Sequence, residues 1–283
     1  MSTLTTVGSA SAWSPDVYKF APADAVPAAL ILQCSNVAGE IDGDDPAVRV
    51  AYVNDDDAQL TAEGAEIPEG DPQLAEVLVH TSKVTQLVRL SNEQWKQAGT
   101  AEQLSQSVAR AITRRGDLAF IAEAAPTAPA VAPVAGITNV TGIVNGGPVA
   151  GNLDTLVDLV AQLEDNLATP SHILVDPLGW AELRKLKVGG QGVNESLLGA
   201  GTTDAARMLL SLPVLVNPAV PNYTGLVVDR NAIVSAVGQV RIANSEHQYF
   251  SADSVAVRAT WRIGHAVVRP NRIGTFTIGE PGS

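Results

Sequence analysis

The most regular pattern in the sequence is an alternation of apolar and polar positions near the carboxyl end. Between Val255 and Ile263 every second residue is apolar, and both Arg258 and Arg262 fall between these positions. A period of two is typical of a β-strand with one buried face. Gly264 then predicts a bend. Further apolar runs of strand length predict a strand-rich end of the chain, at 213–217, 224–229, 233–243, 266–269 and 273–278.

Three other segments have apolar residues at the three-to-four spacing of a helix. The longest starts at Thr100–Gln103, which has the form of a capping box, and is predicted to reach about residue 123. A second helix is predicted over 153–167. A third begins after Asp176, a predicted N-cap that is followed by Pro177. Helices and strands do not alternate regularly, which predicts an α+β or mixed α/β fold.

The charge of the chain is concentrated in one segment. The sequence has 18 Lys and Arg against 30 Asp and Glu, a net charge of −12. Residues 40–76, here called the acidic segment, hold twelve acids and one base, Arg49, so they carry −11 and leave −1 for the rest of the chain. Strand patterns at 48–53 and 75–81 predict that this segment forms a two-stranded arm.

Two interpretations of the acidic segment remain open. It is either a solvated acidic linker or the two-stranded arm, which would be marginal alone in water and would need a basic surface, such as one on another copy, to lie on. The arginines of the long helix also have two interpretations. They are either ordinary solvated helix positions or the residues that bind the acidic arm of a neighbour. The acids predicted to make the contact are Asp55, Asp56, Asp57, Glu63, Glu66, Glu69 and Asp71, and the candidate basic partners are Arg110, Arg114, Arg115, Arg258 and Arg262.

The chain lacks the residue patterns of several protein classes. A net-acidic chain is not typical of proteins that bind nucleic acid through a basic face. The single cysteine, Cys34, excludes an intramolecular disulfide and a cysteine-based zinc site. No hydrolase or nucleotide-binding motif is present and the four histidines are scattered, so we expect no enzyme activity, no cofactor and no dedicated metal site. No apolar run reaches the ~20 residues of a membrane span, which predicts a soluble protein.

Three stretches of the sequence, taken in order, resemble one protein family. They are Asp176–Lys187, Leu209–Pro221 and Phe250–Pro270, and they follow an amino-terminal arm, an acidic strand pair and a long helix. In this order the parts resemble the major capsid protein of tailed bacteriophages, which has the Hong Kong phage capsid fold also found in encapsulins. The resemblance covers most of the chain from about residue 45.

The resemblance implies a division of the chain into domains. An extended loop would lie across an adjacent subunit, and a peripheral domain would contain the long helix as its spine. An axial domain would cluster around the pentamer and hexamer axes. The implied ranges are 1–44 for the amino-terminal arm, with a short helix near 22–32, 45–79 for the extended loop, 80–150 and 246–283 for the two parts of the peripheral domain, and 151–245 for the axial domain.

The resemblance also implies a function. The protein is expected to assemble as pentamers and hexamers into an icosahedral virion shell that encloses phage double-stranded DNA without sequence-specific binding. Assembly would take place in the cytoplasm of the host bacterium, with a separate scaffolding protein, a portal and a decoration protein as implied partners. Some members cross-link their shells through a lysine of the extended loop. This chain has no lysine between Lys19 and Lys83, so no such cross-link is expected.

Other functions predict different behaviour of the purified protein. The nearest alternative is an encapsulin-like compartment shell, which would contain an enzyme instead of DNA. A soluble α/β enzyme would form a discrete monomer or dimer. A tail or decoration protein would be present in fewer copies or would form tubes.

Overall fold

The computed structural model describes residues 17–53, 74–97, 100–187, 197–198 and 207–279. Elements are numbered in chain order. The α-helices are α1 (Pro22–Ala25), α2 (Leu30–Cys34), α3 (Asn92–Trp95), α4 (Thr100–Ala122), α5 (Asp154–Asp165) and α6 (Pro177–Lys185). The strands are β1 (Val17–Phe20), β2 (Asn36–Ile41), β3 (Ala47–Val53), β4 (Leu74–Ser91), β5 (Val144–Val149), β6 (His172–Val175), β7 (Met208–Leu209), β8 (Leu212–Val216), β9 (Thr224–Val228), β10 (Ile233–Gly238), β11 (Val240–Tyr249), β12 (Ser254–Val267) and β13 (Gly274–Ile278).

The strands form two sheets, and within the described residues the first has seven strands. Its central strand is β12, with β4 along one edge and β10 and β11 one after the other along the opposite edge. β1 and β2 pair with β11 and β10, and β3 pairs with residues 74–80 of β4. The second sheet has the order β5-β13-β9-β6-β8-β7. This arrangement confirms the predicted α+β fold class.

The predicted strand near the carboxyl end is confirmed as β12, but it does not bend at Gly264. Pairing with β4 continues through this residue. A Cβ at Gly264 would collide with the backbone oxygen of His80, so the glycine permits close approach of the two strands. The predicted strand at 233–243 is interrupted after Gly238 and forms β10 and β11. There the backbone oxygen of Gly238 accepts a hydrogen bond from Nε1 of Trp261 at 3.0 Å.

The long predicted helix is confirmed as α4, which packs on one face of the first sheet. Ile112 and Phe120 from the helix and Trp261 from the sheet are buried in the same hydrophobic cluster. Gly116 allows the two layers to approach, because a Cβ at this position would lie 2.7 Å from Cζ3 of Trp261. The helix therefore presents its apolar side to the sheet and its polar side outward.

The amino-terminal region is part of the body from residue 17 onward, where β1 pairs with β11, in contrast to the extended arm expected over 1–44. Val26, Ile31 and Cys34 are buried in the main core, and β2 adds a parallel strand beside β10. The apolar run around α2 gains more by burial than it would in an exposed arm. In place of the one helix expected near 22–32 there are two, α1 and α2.

The second sheet forms a separate hydrophobic core with α5 and α6. Leu159 and Leu163 of α5 pack there with Ile173 and Phe276. α6 begins as predicted, because Asp176 accepts hydrogen bonds from the backbone N–H groups of the helix start at 3.0 Å. β5 is an edge strand of this sheet and was not among the predicted strands.

The two sheets cross the domain boundaries that the resemblance implied. β10 and residues 240–245 of β11 fall inside the implied axial range but belong to the first sheet. Conversely, β5 and β13 fall inside the implied peripheral ranges but belong to the second sheet. Since sheet membership depends on pairing between distant segments, local sequence patterns do not reveal it. None of the helices in the described part of the chain is long and apolar enough to cross a membrane.

Candidate subunit interface

The predicted acidic strand pair is confirmed where the structure describes it. β3 and β4 run antiparallel, from Ala47 opposite His80 to Val53 opposite Leu74. The seven acids predicted to make the subunit contact lie outside the described residues, and they are Asp55, Asp56, Asp57, Glu63, Glu66, Glu69 and Asp71.

The base of the strand pair is supported by its own chain. Val50 and Val79 are buried and pack with Val234 of β10. On the other side of the pair, Arg49 and Glu76 lie 3.6 Å apart with side chains 78% and 64% exposed, and such an exposed ion pair contributes little to stability. The sequence predicted that the two-stranded arm lies on another copy. Because the base of the arm packs on its own chain, that prediction now applies to residues 54–73.

Asp44 of the acidic segment binds basic side chains of the same subunit, at what we call the Asp44 site. The Asp44 carboxylate lies 3.0 Å from Nζ of Lys83 and 3.7 Å from Nε of Arg262. Arg262 also donates a hydrogen bond to the backbone oxygen of Asp45 at 3.1 Å. The hydrogen bond from Lys83, together with the charges of Arg262 and Arg241, lowers the pKa of Asp44. Arg262, predicted to receive acids of a neighbour, is thus engaged by its own subunit.

The three predicted arginines of the long helix are exposed but are not equivalent. Arg115 forms an ion pair of 2.6 Å with Glu123 near the end of the helix. Within the described residues, Arg110 and Arg114 form no ion pair. Both line a groove of about 330 Å³ between α4, the residues around Pro27, and Asn217 with Pro218.

Asp117 lies at the bottom of this groove and joins three segments. Its carboxylate is buried and accepts hydrogen bonds from the backbone N–H of Leu30 at 2.7 Å and from Nδ2 of Asn217 at 2.8 Å. Burial raises the pKa of Asp117, although both hydrogen bonds oppose this effect. The residue connects the start of α2 and the segment after β8 to the middle of α4, which is a structural role.

The face of the first sheet that points away from α4 carries a group of basic residues. Residues directly opposite each other in an antiparallel pair lie on the same face, and the pairing places Lys83 beside Arg262, Leu87 beside Arg258 and Arg89 beside Ala256. Arg241 is opposite Thr260 on the same face. We call this surface the basic sheet face, and its five basic residues are Lys83, Arg89, Arg241, Arg258 and Arg262.

The predicted basic partners therefore lie on two sides of the molecule. Arg110, Arg114 and Arg115 are on the outward side of α4, whereas Arg258 and Arg262 are on the opposite face of the sheet. A segment that lies on one side does not contact the other.

Three bases of the sheet face, Lys83, Arg89 and Arg241, were missing from the predicted set. The alternation of Lys83, Thr85, Leu87 and Arg89 along β4 contains the signal for two of them. However, the choice of face depends on the pairing with β12, which the sequence does not show.

Two buried titratable groups away from these surfaces, Cys34 and His265, have strongly shifted pKa values. Burial raises the pKa of the Cys34 thiol to about 12, so this cysteine is a poor nucleophile. His265 is also buried and donates a hydrogen bond to the backbone oxygen of Ala135 at 3.0 Å, and burial lowers its pKa to about 4. Within the described part of the chain, no three His, Cys, Asp or Glu residues are placed to hold a metal ion.

Comparison with known proteins identifies the family. The family model described as Phage capsid family matches residues 31–278, which is most of the chain. The chain belongs to the Phage capsid family. No match is found among curated proteins.

Solved structures with the same fold are capsid and phage proteins of low sequence identity. A chain from Mycobacterium phage Ogopogo is 18% identical, with a TM-score of 0.64 over 89% of this chain and 92% of that chain. A chain from the capsid of the native GTA particle is 16% identical, with a TM-score of 0.64 over 99% of this chain and 96% of that chain. A chain from the capsid of the empty GTA particle has a TM-score of 0.66. At these identities the likeness establishes the phage capsid fold.

Membership of the Phage capsid family confirms the resemblance found in the sequence and the fold that it implied. The protein is a capsid shell protein. The geometry of its contacts is the remaining question.

Proposed function

We propose that this protein is the major head protein of a tailed bacteriophage, which assembles as pentamers and hexamers into an icosahedral shell around double-stranded DNA. The acidic segment carries the proposal, because it holds almost all the net charge of the chain, and seven of its acids lie in residues 54–73, which join the paired strands β3 and β4 in the sequence. Basic surfaces of opposite charge are present on the same chain, so one copy is able to bind the segment of the next.

The two sheets suggest a revised assignment of the capsid domains. The first sheet with α4 as its spine corresponds to the peripheral domain, and the second sheet with α5 and α6 corresponds to the axial domain. β3, residues 74–80 of β4 and residues 54–73 form the extended loop, and residues 54–73 lie on an adjacent subunit. A separate scaffolding protein and a portal complete the assembly, which takes place in the cytoplasm of the host bacterium, and a decoration protein is a further proposed partner.

The test uses the full chain, expressed alone and together with a scaffolding protein, and examined by negative-stain electron microscopy. We expect closed shells of uniform size. A protein that remains a discrete monomer or dimer under both conditions would contradict the proposal. The content of purified shells separates the two container functions, because DNA supports a phage head, whereas an enzyme supports an encapsulin-like compartment.

The charge of the acidic segment is tested by a variant in which Asp55, Asp56 and Asp57 are each replaced by lysine. The variant should remain folded, because these residues lie beyond the buried base of the strand pair, but should form no shells. The matched control replaces the same residues by asparagine, which removes the charge without reversing it and should reduce assembly less. Normal shells from the lysine variant would show that assembly does not depend on this charge.

A further inference from the structure

The basic sheet face already binds one acid of the acidic segment, at the Asp44 site. Lys83 and Arg262 are directly opposite each other on paired strands, an arrangement of like charges that is unfavourable without an anion between them. Asp44 supplies that anion, at 3.0 Å from Lys83 and 3.7 Å from Arg262. This end of the face is therefore filled by the subunit itself.

The other end of the face also has two neighbouring bases on paired strands, but no acid of the described residues lies between them. Arg258 is opposite Leu87, and Arg89 is two residues further along β4, so the two arginines are diagonal neighbours within reach of one carboxylate. Both are exposed, and neither forms an ion pair within the described residues. Arg89 is held in place because its guanidinium lies 4.7 Å from the centre of the Tyr249 ring.

An apolar side chain lies beside the two arginines. Leu87 is 52% exposed and lies on the same face, next to Arg258. Two cations beside an exposed leucine fit an extended segment that has acids and a few apolar residues, because such a segment offers carboxylates to the arginines and apolar contact to the leucine.

We infer that the pair Arg89 and Arg258, with Leu87, binds the acidic segment of a second copy of this chain. The inference rests on the proposed function and identifies the receiving surface. Residues 54–73 contain seven acids and no base, which matches the charge of the site. The helix side is the weaker candidate, since Arg115 is engaged by Glu123 and the wall beside Arg110 and Arg114 includes the buried Asp117 carboxylate.

The test compares two double variants of the full chain. Arg89→Glu with Arg258→Glu reverses the sheet site, and Arg110→Glu with Arg114→Glu reverses the same charge on the helix side. We expect the sheet variant to lose shell formation and the helix variant to retain it. All four residues are exposed, so both variants should fold, and thermal unfolding of the unassembled subunits checks this. If the sheet variant melts early, Arg89→Gln with Arg258→Gln replaces it, and its expected result is a reduced yield of shells.

A charge exchange makes the test specific. Combining Arg89→Glu and Arg258→Glu with lysine at positions 55–57 restores opposite charges across the contact, so shells should reappear in the combined variant. Normal shells from the sheet variant would overturn the inference. If those normal shells also contain less nucleic acid than shells of the unaltered protein, the site binds nucleic acid and not the acidic segment. If the unaltered protein forms no shells at all, the proposed function itself fails.

Discussion

Asp117 shows how much a single buried side chain contributes to the connection between distant segments. Its carboxylate accepts one hydrogen bond from Leu30 and one from Asn217. Among the described residues, none of its hydrogen-bond partners is a basic side chain. Because both partners are donors, the site needs two acceptors. A carboxylate provides them, whereas an amide provides one.

Replacing Asp117 by Asn should therefore destabilise the subunit. One donor would face the new amide N–H₂ group, at a cost of about 1–3 kcal/mol in the free energy of unfolding. Urea unfolding of the unassembled subunit measures this cost. The control is Asp158→Asn on the exposed side of α5, which should change little. Equal stability of the two variants would show that Asp117 is not a structural connection.

His265 predicts a pH dependence of stability. Its pKa is lowered from the usual 6.5 to about 4 by burial, so the unfolded chain takes up a proton at this residue at a higher pH than the folded chain does. The contribution of His265 to the free energy of unfolding is therefore fully present above pH 6.5. It is lost as the pH falls towards 4, by about 3 kcal/mol in total.

The measurement is the free energy of unfolding from pH 7 to pH 4 for the unaltered subunit and for His265→Gln, which keeps an N–H donor for Ala135. The variant should lose stability less steeply over this range. The control is His247→Gln at an exposed position, which should follow the unaltered curve. Parallel curves for the unaltered subunit and His265→Gln would contradict the prediction.

Among the elements, the contact between α4 and the first sheet depends on the small size of Gly116. The helix was predictable from its sequence because Leu104, Val108 and Ile112 follow the four-residue spacing of a buried helix side. The reason for a glycine in the middle of this helix was not, because Trp261 comes from a strand far along the chain.

Replacing Gly116 by Ala should destabilise the subunit although alanine favours a helix by about 1 kcal/mol. The new methyl group would lie 2.7 Å from the Trp261 ring, and overpacking of this kind costs about 1–3 kcal/mol. Thermal unfolding of the subunit measures the result, with Ser107→Ala on the exposed side of the same helix as control. A melting temperature above that of the control variant would contradict the proposed close contact.

Elements with a strong local pattern were predictable, and those defined by distant partners were not. α4, α6 and β12 follow from periodicity and capping residues. β5 was missed because Gly146, Gly147 and Pro148 are unusual in a strand, and it exists because β13 pairs with it. The capping box of α3, formed by Ser91 and Gln94, was overlooked because the helix has only one turn.

For the molecule as a whole, the acidic side of the candidate interface is easier to predict from the sequence than its basic side. The concentration of negative charge in residues 40–76 is found by counting residues in the sequence. The basic residues share one face only because β4, β11 and β12 pair. Three of the five bases on that surface were not predicted, and Arg262 proved to be engaged by its own subunit. Strand pairing thus places Arg258 and Arg262 together with three further bases on the basic sheet face.

A cryo-electron microscopy reconstruction of the assembled particle tests the central claim most directly. We predict density for residues 54–73 of each subunit on the first sheet of an adjacent subunit, close to Arg89 and Arg258. Density that instead returns along the body of the same subunit would contradict the claim that the acidic segment joins one copy to the next.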